Sequence, residues 1–129
     1  LIANRSFRRN SNMAPRTQLE IITSSVLRLV KEEASYHREL QEQTERIRKL
    51  ESQQGGDENK EYMLRQERLA LEETKKVLPS LKQKLEESIA KLQSLLTEEG
   101  KKGPESNVEH INAAKDAISK ARTAEREIA

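Results

Sequence analysis

The stretch from Leu64 to Leu95, LRQERLALEETKKVLPSLKQKLEESIAKLQSL, decides the fold. Leu64, Glu67, Leu71, Thr74, Leu78, Leu81, Leu85, Ser88, Leu92 and Leu95 follow one another in steps of three and four, and seven of these ten are apolar. That spacing draws a single stripe down one face of a helix, the seam of a coiled coil. Its phase runs unbroken across Pro79. A helix–helix turn would need several loop residues and would reset the phase, yet Lys75-Lys76-Val77-Leu78-Pro79-Ser80-Leu81 contains neither loop nor glycine. Pro79 therefore reads as a kink inside one long helix and not as a boundary.

Working outward, the remaining breakers divide the chain. Upstream, Gly55-Gly56 stops a helix and opens a turn, with Asp57 and Glu58 placing negative charge where the next helix dipole favours it. Downstream, Gly100-Lys101-Lys102-Gly103-Pro104 forms a second turn. Thr17-Gln18-Leu19-Glu20 and Ser106-Asn107-Val108-Glu109 both have the capping-box pattern. The expected helices are 18–54, 58–99 and 106–128. The first carries its own seam at Ile22, Val26, Leu29, Glu33, Tyr36, Leu40, Gln43, Ile47 and Leu50, seven of nine apolar, and Tyr36 is expected to pack inside. The third carries a stripe of smaller residues at Val108, Ile111, Ala114, Ile118, Ala121 and Ile128. Glu42–Arg46, Glu45–Lys49, Glu61–Arg65, Glu72–Lys76 and Glu87–Lys91 all have the favourable i,i+4 order on the outer faces.

The apolar face is widest near the start of helix 1, where Leu19, Leu27, Val30 and Ala34 flank the seam, and late in helix 2, where Ile89 and Leu96 do so. An antiparallel arrangement brings these two ends together. At about 1.5 Å per residue, helices 1 and 2 span roughly 55–63 Å and helix 3 roughly 35 Å. Helix 3 can therefore cover only the wide end. The expected fold is all-α: an elongated, antiparallel, up-down-up three-helix bundle with left-handed coiled-coil packing. Helix 2 is kinked at Pro79, helix 3 is shorter, and a two-helix hairpin projects at one end.

Composition agrees. Of 129 residues, 36% are charged, 33% hydrophobic and 2% aromatic, with no Trp or Cys. Ala, Glu, Lys, Leu and Arg make up roughly half the chain, as in long helices, and β-branched and aromatic residues are too few to line a sheet. The absence of Cys excludes disulfide frameworks, Cys-ligated zinc and thiol catalysis. The net charge of +2 is concentrated in residues 1–16, which hold Arg5, Arg8, Arg9 and Arg16 and no acid. Residues 1–16 read as a flexible basic leader ahead of a bundle over 17–129, with Met13 as the natural start and 1–12 as extra upstream sequence. From Met13 onward there are 21 basic and 22 acidic residues.

The chemistry of most function classes is missing. His37 and His110 have no HExxH context, adjacent acids such as Glu32-Glu33 and Glu72-Glu73 point to different azimuths, and no Gly-rich phosphate loop exists. A narrow rod is expected to offer little concave pocket. The expectation is no enzyme, no catalytic residue, no metal and no cofactor. Basic residues alternate with acids, and the only aromatics are Phe7, Tyr36 and Tyr62, so neither a nucleic-acid platform nor a membrane-binding face is expected. What remains is protein binding by helix faces. Tyr62, Met63, Leu69, Ala70 and Val77 flank the helix 2 seam at the two-helix end, either thickening its core or meeting a partner.

Several ordered stretches resemble a known family. Val26-Leu27-Arg28-Leu29-Val30-Lys31-Glu32-Glu33, followed by Tyr36 and a Glu/Gln-rich helix, is similar to the first helix of the tubulin-folding cofactor A (tubulin-specific chaperone A) family. The acidic turn Gly55-Gly56-Asp57-Glu58-Asn59 matches in place and character, as do Val77-Leu78-Pro79-Ser80 and the segment through Leu96. Residues 14–99 carry the resemblance; the Ala-rich third helix matches only in type. The resemblance implies a small three-helix protein that captures β-tubulin released from the cytosolic chaperonin, in the pathway to the α/β heterodimer. It further implies a cytoplasmic, cytoskeleton-associated protein that uses no nucleotide. Because tubulin is acidic, Arg28, Lys31, Arg38 and Arg65 are the candidate contacts it suggests, with Tyr62 beside them. The alternative is a coiled-coil adaptor or oligomerisation module. Monomer and weak homodimer both fit, since a two-helix end could pair with a second copy.

Overall fold

The computed structural model describes residues 15–56 and 58–128. Readings that fall on the basic leader before Pro15, and on Asp57, lie outside these residues. The described residues form three α-helices and one short 3-10 turn, with no strand. Helix α1 spans Gln18–Ser52, α2 spans Glu58–Gly100, and α3 spans Val108–Ile128, with the 3-10 turn at Gly103–Glu105 between the last two.

Local chemistry sets each boundary. Thr17 caps α1 as a full capping box: its hydroxyl accepts from the Glu20 N–H at 3.2 Å, and its own N–H donates to Glu20 Oε1 at 3.0 Å. α1 ends at Ser52, two residues earlier than expected, because Gln53 is extended (φ −68°, ψ 134°). The turn is then closed by Lys60, whose ammonium reaches the Gln53 carbonyl at 2.6 Å and the Gly55 carbonyl at 3.2 Å. Gly55 adopts φ +77°, a conformation that costs glycine little. α2 runs 43 residues without interruption through Pro79, so the proline lies inside one helix.

The second capping box is not formed as the sequence pattern suggests. The Ser106 hydroxyl donates to the Glu99 carbonyl at 2.9 Å, closing the end of α2. Asn107 caps α3, its Oδ1 accepting from the His110 N–H at 3.1 Å. The reciprocal role falls to Glu99, whose carboxylate accepts from the Asn107 N–H at 2.9 Å. A side chain from the preceding helix thus does what Glu109 was expected to do, and α3 starts at Val108 and not at 106. Val108, placed in the α3 stripe by its spacing, is consequently 63% exposed in the first turn.

Ion pairs show how the helices lie beside one another. Arg46 Nε is 3.0 Å from Glu67 Oε1, and Arg68 Nη2 is 2.7 Å from Glu51 Oε2. Both pairs tie the last turns of α1 to the first turns of α2, on either side of the Gly55 turn. α3 meets α2 through Arg122 and Glu86 at 3.2 Å, and α1 through His110 and Glu20 at 3.4 Å. Several expected i,i+4 pairs give way to other partners. Arg46 reaches across to Glu67, Glu45 takes Arg48 at 2.6 Å, and Glu72 takes Lys75 at 3.7 Å. An i,i+3 partner is equally within reach on a helix surface, and a cross-helix carboxylate competes for the same arginine.

The core lies where all three helices meet. Leu19, Val26 and Leu29 from α1 pack with Leu81, Leu85, Ile89 and Leu92 from α2 and with Ala114, Ala117 and Ala121 from α3. The alanines leave no side-chain bulk between α3 and its neighbours, so the helices approach closely and fully bury this face. The end of α3 reaches only as far as Leu78 and Pro79. Beyond that point α1 and α2 continue as a pair, with Ile47 and Leu64 as their buried apolar residues. Tyr36, expected inside, is 37% exposed, at the edge of the seam next to buried Glu33.

Helix caps make the fold acid-sensitive. The Glu20 carboxyl is held below its ordinary value of 4.5, first by the Thr17 backbone N–H. Glu99 is lowered likewise, first by the Asn107 N–H and then by Lys102. A depressed folded-state pKa contributes stability above the unfolded value, and that contribution is lost as pH falls through the folded value. Thermal melts should therefore be flat from pH 7 to about 5.5 and fall below about 4.5. In Glu99→Gln the acid fall should be shallower, since one of its causes is gone. A wild-type midpoint independent of pH between 5.5 and 3 would contradict this account.

Candidate partner-binding surface and groove

Two surface features stand out from the charged, solvated faces. The first is the outer side of the two-helix end. Tyr62, Met63 and Leu69 are 54%, 42% and 61% exposed. Tyr62 and Leu69 are two turns apart and so lie on one face of α2, with exposed Arg65 between them. By contrast, Ala70 and Val77 are half-buried, and Val77 packs against the core cluster. The expected hairpin-flanking set thus separates into a core part and an exposed part.

The five sequence-predicted contact residues fall into two groups. Arg28, Lys31 and Arg38 are all exposed and lie within about 80° of one another on the side of α1 facing away from Val26 and Leu29. Arg28 is engaged by Glu32 at 3.6 Å. Tyr62 and Arg65 belong to the α2 face described above. The Arg46–Glu67 pair sets the register and leaves Arg38 eight residues, about 12 Å, farther along α1. The structure does not bring the five into one patch.

The second feature was not foreseen: an open groove of about 390 Å³ at the foot of α3. α1 contributes Glu33 and His37, α2 contributes Lys75, Leu78, Pro79 and Lys82, and α3 contributes Glu125 and Ile128. It lies where residues of all three helices face one another. The expectation of little concave pocket on a narrow rod is corrected by this groove. Glu33 is only 4% exposed, and its Oε1 is buried with no hydrogen-bond partner. The signal was present in the sequence, since Glu33 is the one charged residue at a seam position of the first helix.

Beside the groove, Arg122 Nη1 bridges Glu86 Oε1 at 3.2 Å and Glu125 Oε1 at 3.3 Å. The two carboxyls also interact directly. Glu86 is held below the usual carboxylate range, first by its hydrogen bond with Glu125 and then by Arg122. Glu125 is raised, first by burial and then by Glu86. The pair titrates as a unit in which Glu125 keeps its proton longer. Among the described residues no group of His, Cys, Asp and Glu could hold a metal ion, and no helix is long and apolar enough to cross a membrane.

Comparison with known proteins places this architecture. A family model described as Tubulin binding cofactor A matches residues 14–118. Tubulin-specific chaperone A of Saccharomyces cerevisiae is 34% identical over 111 residues, covering 85% of this chain and 94% of the yeast protein. The proteins of the same name from Mus musculus and Homo sapiens are each 34% identical over 82 residues, covering 64% of this chain and 72% of theirs. No solved structure matches. With the match running from before the Thr17 cap to Ile118 on α3, the chain belongs to the Tubulin binding cofactor A family.

Proposed function

We propose that the protein is a tubulin-folding cofactor that captures and stabilises β-tubulin intermediates after their release from the cytosolic chaperonin, on the way to the α/β heterodimer. Family membership supports the tubulin-binding role. The observation that carries the mode of binding is the exposure of Tyr62, Met63 and Leu69 around Arg65 on the outer face of α2. A helical surface with exposed aromatic and aliphatic side chains beside an arginine suits capture of a partly folded, acidic chain. Arg28, Lys31 and Arg38 form a separate set of exposed bases, interleaved with Glu32 and Glu42, that would help to steer the same partner. The role requires no catalysis, nucleotide or metal, and it places the protein in the cytoplasm, associated with the cytoskeleton.

In this reading residues 17–129 are the working unit: an up-down-up bundle with left-handed coiled-coil packing, kinked at Pro79. Leu19 and Leu95 line one pocket far from the Gly55 turn while Arg46 meets Glu67 near it, which supports that order. The unit acts as a monomer or weak homodimer. Residues 1–12 are not needed for binding.

Pull-down with newly released β-tubulin tests the proposal. Full-length chain and chain starting at Met13 should capture it equally. Tyr62→Ala combined with Leu69→Ala should weaken capture roughly tenfold or more, as expected for central aromatic and aliphatic contacts. The melting temperature should hold, since exposed substitutions typically change stability by less than about 0.5 kcal/mol each. A folded protein that captures no β-tubulin at micromolar concentration, and scatters light as an obligate elongated oligomer, would instead be a coiled-coil adaptor.

A further inference from the structure

We infer that the groove at the foot of α3 is a binding subsite for an arginine side chain of a partner protein, with the Glu33 carboxylate as its acceptor and Leu78, Pro79 and Ile128 as the bed for its aliphatic stem. The inference concerns the groove's own chemistry and does not rest on the tubulin reading.

A carboxylate oxygen that is buried and unpartnered is costly, and native structures leave few such atoms without a reason. Glu33 Oε1 is in that condition at the wall of a concavity, not in a sealed core. No ion pair reaches Glu33 among the described residues, whereas Glu125 shares Arg122 with Glu86 and Lys75 is engaged by Glu72. A second acceptor, the Glu125 carboxyl, lines the same groove. The groove therefore offers acceptors at one side and hydrocarbon at the other.

That combination selects the occupant. A guanidinium carries five donors in a planar fork, is weakly hydrated, and can serve two acceptors at once, which an ammonium does less well. Its three-methylene stem can lie along apolar surface while the head reaches the acceptor. The volume of about 390 Å³ is ample for one such side chain. Lys75 and Lys82 also line the groove; both are exposed, and Lys75 is turned to Glu72, so binding requires the two ammonium groups to stay on the solvent side of the entering head group.

The probe is a capped Gly-Arg-Gly peptide titrated into the isotope-labelled full chain, with the citrulline peptide as its uncharged isostere. The arginine peptide should give saturable NMR shifts at the Glu33 side-chain carboxyl and at the amides of His37, Leu78 and Ile128. Citrulline should bind roughly tenfold more weakly, the effect of losing a charge-assisted hydrogen bond. Glu33→Gln should abolish the saturable response. The carboxyl shift in the unmodified chain reads the contact directly, so the test stands even if that variant is poorly folded. Shifts that never saturate and spread over every acidic face would overturn the inference, as would equal binding of citrulline or undiminished binding by a folded Glu33→Gln protein.

Discussion

Leu85→Ala is expected to lower the stability of this protein by about 3–5 kcal/mol, near the top of the range for buried leucines. Leu85 is 1% exposed and sits in the one cluster to which all three helices contribute. Truncation there removes its hydrophobic contribution and leaves a void, and the alanines of α3 have no longer side chains with which to fill it. For a chain of this size the melting temperature should fall by roughly 10–20 °C. Leu64→Ala provides the contrast. Leu64 is 9% exposed and is packed at the two-helix end, where solvent and neighbouring chains can close over the gap. Its cost should be less than half as large. Equal losses at both positions would mean that α3 adds nothing to the core at its end, and the account of a thick end and a thin end would be wrong.

Pro79→Ala should act in the opposite direction and raise the melting temperature. Within a helix interior, proline removes one hydrogen bond and crowds the preceding turn, a penalty of about 3 kcal/mol. Alanine restores the N–H for the Lys75 carbonyl. Against this, the unfolded chain regains the freedom that the proline ring had removed, about 0.4–1 kcal/mol. A net gain of about 2 kcal/mol remains, which differential scanning calorimetry would resolve as several degrees. The surroundings favour this outcome, since α2 is already continuous across Pro79 and the residue is exposed. If the variant instead melted lower, contact of the ring with its neighbours in the groove would outweigh the lost hydrogen bond. A gain would also give the proline a reason beyond stability, because it helps to shape the groove that Glu33 lines.

Much of this architecture could be read from residue order. The seam from Leu64 to Leu95 called for one helix through Pro79, and α2 is one helix. Thr17 and Glu20 called for a capping box, and it forms. These features depend on neighbours within a turn or two, so spacing alone contains the information. The family resemblance rested on the same ordered stretches, and the matched residues 14–118 include them.

The misreadings share a different cause. Ser106 was taken for a helix cap because the pattern S-x-x-E is local, but Glu99, eight residues before Asn107, supplies the carboxylate. Tyr36 was placed inside because its spacing fits the seam, yet burial there depends on how neighbouring helices lie against that edge, and Tyr36 is exposed. Arg46 was paired along its own helix, and the carboxylate it finds belongs to α2. In each case the deciding partner is distant in sequence.

By itself, then, the sequence determined three amphipathic helices, their approximate lengths and the family to which the chain belongs, because helical periodicity and capping are short-range properties of the chain. Only the tertiary structure decided which apolar residues stay exposed, which charges meet across helices, and that Glu33 lies unpartnered in a groove lined by all three helices. Those outcomes follow from the relative lengths and register of helices packed side by side, a relation between residues far apart along the chain that no window of residues contains.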